Sequence, residues 1–259
     1  MILSWWRRRR RGRILARPFS AGWERILQRN FAYDRWLSTD DRQKLRRDLQ
    51  IVVAEKYWEG CNGLEITDEI RVTIAAQACL LVLGFENEYF DRVQTILVYP
   101  DLYVATEMTR QPGGVVTETM SPRLGEAWYG GPVILSWPSV LAGGRNPGDG
   151  RNVVLHEFAH VLDMQDHDIN GTPPLSSSDQ YQAWHEVMTA EYNQLLRHSI
   201  QGRATLLDGY GTKDEAEFFA VATECFFEQP LPMTHRHPRL YELLREFYRQ
   251  DPAARGGGE

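Results

Sequence analysis

Asn152-Val-Val-Leu-His156-Glu157-Phe-Ala-His160-Val-Leu-Asp163 is the stretch on which the reading of the whole chain turns. Residues four apart on a helix project from one face, one turn above another, so His156 and His160 can present their imidazoles to a single ion. Glu157 lies about 100° further round the helix, near that ion but not aimed at it, where its carboxylate can take a proton from a water beside the metal. Zinc suits such a set: it lowers the pKa of a bound water to about 7 and polarises a carbonyl. Asn152 supplies N-cap chemistry and the apolar residues around the histidines supply a buried helix face. Pentads of this form also arise by chance. The apolar helical context, the strand candidate before it and the acidic residues after it argue against accident here.

A catalytic zinc needs a third protein ligand and one open position. The extended pattern H-E-x-x-H-x-x-G-x-x-H is ruled out, because positions 163 and 166 are Asp and His167 falls one place late. Glu217 is the better choice, as a carboxylate bordering an otherwise apolar helical face in Asp214-Glu-Ala-Glu217-Phe-Phe-Ala-Val-Ala-Thr-Glu224, with Glu215 and Glu224 competing for the role. Zinc-bound imidazoles usually donate their other N–H to a carboxylate or carbonyl, which makes Asp163 and Glu224 candidates for orienting the histidines.

The surrounding chain can support such a site. It has 259 residues, 42% of them hydrophobic, enough for a full core, and a single catalytic unit is expected. A net charge of -6 excludes a nucleic-acid-binding body, which would need a basic surface. Cys61, Cys79 and Cys225 form no CxxC pair and no even framework, which suits a reducing cytoplasm, and the two in apolar helical stretches are expected to be buried and inert. No apolar run approaches the ~18 residues of a membrane span, so a soluble protein is expected. Met1-Ile-Leu-Ser-Trp-Trp6 followed by Arg7 to Arg11 reverses the order of an export signal. Residues 1–30 are therefore read as a flexible basic segment able to touch an acidic membrane surface or a partner, residues 31–252 as the catalytic unit, and 253–259 as a disordered tail.

Helices are expected after Ser38-Thr-Asp-Asp41, with Leu45, Leu49, Val52, Val53 and Tyr57 on one face, and from Thr67-Asp68 to a left-handed cap at Gly84. Further helices are expected over 179–197, 214–228 and from Pro238 to before Pro252. Thr95 to Tyr99, Leu102 to Val104 and Pro132 to Trp137 read as strands. The third is entered through Gly130-Gly131 and left through Pro138, and its prolines suit an edge strand that borders the cleft and pairs with an extended substrate.

Taken in order, Leu97-Val-Tyr-Pro100, Gly131-Pro-Val-Ile-Leu135, the His156 to Asp163 segment, Ala216-Glu217, Phe219-Ala-Val221 and Phe247-Tyr248 near Asp251-Pro252 resemble the Mlc titration factor A peptidases over roughly Phe31 to Pro252. These are zincins whose site is also similar to the anthrax lethal factor catalytic domain. The resemblance implies an α+β zincin-like fold with a small mixed sheet, an active-site helix bearing the HExxH motif, and additional N- and C-terminal helices. It implies one zinc ion per chain held by His156, His160 and Glu217, with Glu157 as general base. Tyr210, seven residues before Glu217 as in both relatives, is implied as the hydroxyl donor to the developing oxyanion. The expected activity is a zinc-dependent peptidase, aminopeptidase-like activity included, acting on a peptide or protein substrate. The resemblance also implies binding of a glucose-responsive transcriptional repressor, Mlc. A zinc-stabilised regulatory protein that titrates such a repressor is thus the alternative, and a hydrolase acting on other carbonyls is a third reading.

Overall fold

Helix α1 (Ile2–Leu15) opens the chain where a flexible basic segment is expected, and α2 (Ala21–Asn30) follows it. Acidic partners hold this helix to the body. Arg7 and Arg11 lie one turn apart on the same face, and Asp91 meets both, at 2.6 and 2.5 Å, while Arg11 also pairs with Glu55 at 2.7 Å. Ile14 and Leu15 pack against the core, and Leu27 on α2 is fully buried. A computed structural model of the chain describes residues 2–101, 103–110, 116–123, 125–127 and 131–255, with side chains over 5–101 and 131–255. At the other end Pro252–Arg255 forms a helical turn and Arg255 pairs with Asp41 at 3.2 Å, so the first part of the expected disordered tail is helical. Residues 256–259 lie outside the described residues.

Between these ends the cap signals predict the helices well. Ser38 Oγ accepts from Asp41 N to start α3 (Thr39–Glu55), which buries Leu45, Leu49 and Val52. Tyr57, expected on the same helical face, instead opens strand β1 (Tyr57–Gly60) and is exposed. Thr67 caps α4 (Asp68–Leu81), an almost wholly buried helix packed against both α2 and α3. Gly84 is not the left-handed cap expected of it. It is a point of close approach, where an added Cβ would stand 2.1 Å from the Tyr248 carbonyl oxygen.

Strands β2 (Thr95–Tyr99), β3 (Tyr103–Arg110), β4 (Val116–Arg123), β5 (Gly125–Ala127) and β6 (Val133–Ser136) follow. Leu102 and Gly130 lie outside the described residues. β3 and β4 pair with each other, and the remaining strands form a mixed sheet in the order β1-β2-β6-β5. β1, β2 and β6 run parallel, and β5 is antiparallel to β6. β6 is therefore an inner strand, not the edge its prolines suggest. Pro132 precedes it, while Trp137 and Pro138 start helix α5 (Trp137–Arg145), so no proline occupies a ladder position.

Helix α6 (Val153–Asp163) packs on β5 and β6 and also touches α4 and α5. The rest of the chain is helical, comprising α7 (Ser178–Ile200), α8 (Glu215–Glu228), α9 (Pro230–Arg236), α10 (Pro238–Tyr248) and α11 (Pro252–Arg255). α8 lies against α6, and Phe219 backs it by packing on Trp184 and Phe247, with ring centroids 5.5 and 6.0 Å away. The fold is thus α+β, mostly helical around one small sheet. Among the described residues no helix is long and apolar enough to cross a membrane.

Candidate metal centre

Two side-chain caps set the register of the site. Asn152 Oδ1 accepts from Val154 N and Leu155 N, both at 3.1 Å, and begins α6 one turn before His156. The Asp214 carboxylate accepts from Glu217 N at 2.9 Å, which puts Glu217 in the first turn of α8, where the helix dipole favours a carboxylate. Across the contact between these helices, Glu217 Oε2 lies 3.0 Å from His156 Nε2 and 3.3 Å from His160 Nε2. His156, His160 and Glu217 each offer a ligand atom, and all three atoms lie within 4.8 Å of one another.

Two imidazole nitrogens directed at one carboxylate oxygen either donate N–H groups to it or share a metal cation with it. Burial opposes a charge on His156, but hydrogen bonds to Glu217 and Glu224 outweigh it and hold the imidazole well above its usual range. Burial likewise pushes Glu217 upward, and His156 and His160 hold it well below the carboxylate range. His156 is further constrained on its far side, where Glu224 Oε1 accepts from Nδ1 at 2.7 Å while Glu224 Oε2 accepts from Asn152 N at 2.5 Å. With Nδ1 committed as a donor, Nε2 is the nitrogen left to bind a cation, the arrangement usual for metal-ligating histidines. Two imidazoles and one carboxylate oxygen converging in this way fit a divalent metal ion.

The glucose-regulated metallo-peptidase M90 family matches this sequence over residues 3–249. The chain belongs to this family. An uncharacterized protein of Synechocystis sp. is 40% identical to it over 244 residues, covering 94% of this chain and 89% of that one. Mlc titration factor A of Klebsiella pneumoniae subsp. pneumoniae is 31% identical over 221 residues, 85% of this chain and 83% of that protein. The Yersinia pestis protein of the same name is 30% identical over 227 residues, 85% and 81% of the respective chains. The M90 match starts at residue 3, so α1 lies inside the family's extent, whereas the motifs alone place the resemblance from Phe31 onward.

The other expected site residues of this M90 member are distributed unevenly. Glu157, next to His156 on α6, is only 4% exposed. Tyr210 sits in a 3-10 turn (Gly209–Thr212) held by Asp208 Oδ1, which accepts from Tyr210 N at 2.9 Å, and its hydroxyl donates to Glu217 Oε1 at 3.1 Å. Burial and then the Glu217 charge raise its pKa, which keeps the phenol protonated and able to donate. Asp163 does not reach His160. His160 Nδ1 and Asp163 Oδ1 are both buried without a hydrogen bond to a described residue, and Asp163 Oδ2 instead accepts from Gly171 N at 2.9 Å. Burial pushes the Asp163 carboxyl up to about 6. Glu215 is exposed and outside the cluster, and His167, which falls one place late for the extended motif, lies beside Arg92, 3.3 Å from its Nη2.

Two residues, Lys213 and Glu228, belong to the site region without having been singled out in the sequence. Lys213 Nζ donates to Glu217 Oε1 at 2.9 Å, so that one carboxylate oxygen faces the histidines while the other faces Tyr210 and Lys213. Its spacing, four residues before Glu217, is the signal that could have found it. Glu228 is buried near the start of α6, where it accepts from Tyr33 Oη, from Gly148 N at 2.5 Å and from Asn152 Nδ2 at 3.3 Å. Glu217, Glu224 and Glu228 fall within about 20° of one line along α8, a column that helical spacing alone could have revealed.

Proposed function

We propose that the protein is a zinc-dependent peptidase, with one zinc ion per chain held by Nε2 of His156, Nε2 of His160 and Oε2 of Glu217. The observation that carries the reading is the approach of both imidazole nitrogens to one Glu217 oxygen while Glu224 fixes the far side of His156. Bound zinc would supply a Lewis acid that polarises a carbonyl and acidifies a water. Glu157, beside His156 and largely shielded from solvent, is the general base: it takes the water's proton and passes it to the departing amine. Tyr210, 49% exposed, releases Glu217 Oε1 and turns its hydroxyl to the oxyanion, while Lys213 continues to hold that carboxylate oxygen. β5, the edge strand beside α6, is the segment against which an extended peptide would pair, in place of β6.

The test is cleavage of a mixed peptide library by zinc-loaded wild type and by Glu157→Gln, with zinc content measured for both. Turnover by wild type and its loss in a variant that retains zinc supports the mechanism, and cuts confined to the first residue of each peptide would make it an aminopeptidase. Absence of cleavage by a zinc-loaded wild type defeats the reading.

The relatives named Mlc titration factor A support a second role, binding of an Mlc-like transcriptional repressor in a reducing cytoplasm that suits the three unpaired thiols. A buried Glu157 next to a ligand histidine favours chemistry over a purely structural zinc, which is usually closed by four ligands. Titration calorimetry with purified repressor separates the two roles, and a screen of ester and amide substrates tests the third reading, hydrolysis of other carbonyls.

A further inference from the structure

Helix α1 has two chemically different faces. Arg7, Arg11 and Ile14 turn toward the body, where the arginines meet Asp91 and Glu55. Opposite them, at 100° per residue, Trp5, Trp6, Arg9 and Arg13 share an arc of about 100°. All four are exposed, Trp5 by 52% and Trp6 by 59%, and the Arg9 guanidinium lies 5.3 Å from the Trp5 ring centroid. Arg8, Arg9 and Arg13 make no ion pair among the described residues. Six arginines and no acid stand between residues 7 and 13, in a chain whose net charge is -6.

The fold gains little from this face. Arg9 and Arg13 are a like-charge pair one turn apart, and the first turn of α1 has no acidic residue to complement the helix dipole. The face is suited to something outside the molecule. Exposed indoles favour the headgroup layer of a bilayer, where an amphipathic ring has both apolar and wet surroundings. Clustered arginines are drawn to anionic lipid headgroups. A duplex nucleic acid is less well matched, since it offers the exposed Trp5 and Trp6 no headgroup layer to enter.

We infer that the outward face of α1 docks the protein on an anionic membrane surface, with Trp5 and Trp6 entering the headgroup layer and Arg8, Arg9 and Arg13 pairing with the lipid anions. None of these residues belongs to the metal centre, so the inference stands apart from the peptidase reading. The test is co-sedimentation of the full chain with vesicles of phosphatidylcholine containing one third phosphatidylserine, against pure phosphatidylcholine vesicles and duplex DNA. Binding to the anionic vesicles that is released by high salt is expected. Replacing Arg9→Gln together with Arg13→Gln lowers the partition about 30-fold. Trp5→Ala with Trp6→Ala abolishes the blue shift of indole emission on binding, and Arg9→Lys with Arg13→Lys retains binding. Circular dichroism shows that each variant keeps its helices. Failure to pellet with anionic vesicles, equal binding to neutral ones, a preference for DNA, or binding untouched by both the Arg→Gln and the Trp→Ala double variants would each overturn the inference.

Discussion

Replacing Glu224 by glutamine isolates the contact that orients His156. The carboxylate accepts from two donors at once, His156 Nδ1 at 2.7 Å and Asn152 N at 2.5 Å, and it is buried. A glutamine has the same shape but one acceptor oxygen, so its NH2 must face one of the two N–H groups and a hydrogen bond becomes a donor–donor contact. Losing a buried hydrogen bond to a charged group costs about 1.5–3 kcal/mol. Independently, removing the partner of a metal-binding histidine weakens metal affinity ~10–100-fold, equivalent to about 1.4–2.7 kcal/mol. The two ranges overlap, so the zinc dissociation constant is expected to rise ~10–100-fold. Without added zinc, Tm should fall by about 3–12 °C for a chain this long. Competition with a chromogenic chelator reads the first quantity and calorimetry the second. A variant that binds zinc within about threefold of wild type but unfolds earlier would refute the reasoning. Glu224 would then matter only as an anchor for Asn152 at the start of α6.

Three further perturbations test other parts of the structure. Burial lowers the Lys56 pKa to about 8 from 10.5, while Nζ donates to Phe90 O at 2.6 Å. The folded state therefore holds this proton less tightly than the unfolded one, and the resulting penalty, about 3 kcal/mol, is full below pH ~8 and fades toward pH ~10.5. Lys56→Met should be the more stable protein at pH 7 by about 1–2 kcal/mol after loss of the Phe90 hydrogen bond, and should lose that advantage near pH 10; denaturant melts showing the same gap at both pH values would sink the idea. Lys213 is 46% exposed on its side chain and competes with a cation for Glu217, so Lys213→Met should tighten zinc binding by no more than about fivefold in the same chelator assay, whereas weaker binding would mean that Lys213 is needed to aim the carboxylate. Gly84→Ala forces a Cβ against Tyr248 O and should cost about 1–3 kcal/mol, lowering Tm by about 2–12 °C; an unchanged melting curve would show that α10 does not press on Gly84.

What was legible in the sequence was local. Ser38, Thr67, Asn152 and Asp214 cap helices through their own neighbours, so their positions could be read directly, and the spacing of His156 and His160 carries its geometry with it. The failures are non-local. Arg11 reads as solvated because Glu55 and Asp91, which hold it, stand 44 and 80 residues away in the chain. β6 reads as an edge because its neighbour β5 is three residues long and carries no strand pattern. Gly84 reads as a cap because nothing nearby in sequence announces Tyr248. Asp163 has the right spacing to reach back toward His160, yet Gly171 N–H, beyond the end of α6, engages its carboxylate instead.

The same distinction explains why the candidate metal centre depends as much on α8 as on the HExxH motif of α6. Three glutamates in a nearly straight column on an apolar, buried helix would repel one another and suffer desolvation, unless each met donors from across the contact. Each does: Glu217 meets the two imidazoles, Glu224 meets His156 Nδ1 and Asn152 N, and Glu228 meets Tyr33, Gly148 N and Asn152 Nδ2. Burial still lifts the Glu228 carboxyl to about 7, against the hydrogen bonds from Tyr33, Gly148 N and Asn152 that lower it. Asn152 joins the two lower glutamates, so the residue that starts α6 is held by the helix that carries Glu217. A slip of one residue in α8 would rotate the column by about 100° and separate all three carboxylates from their donors together. The approach of Glu217 to His156 and His160 is therefore supported by three buried carboxyl groups that each meet donors across the helix contact, and not by the two histidines alone.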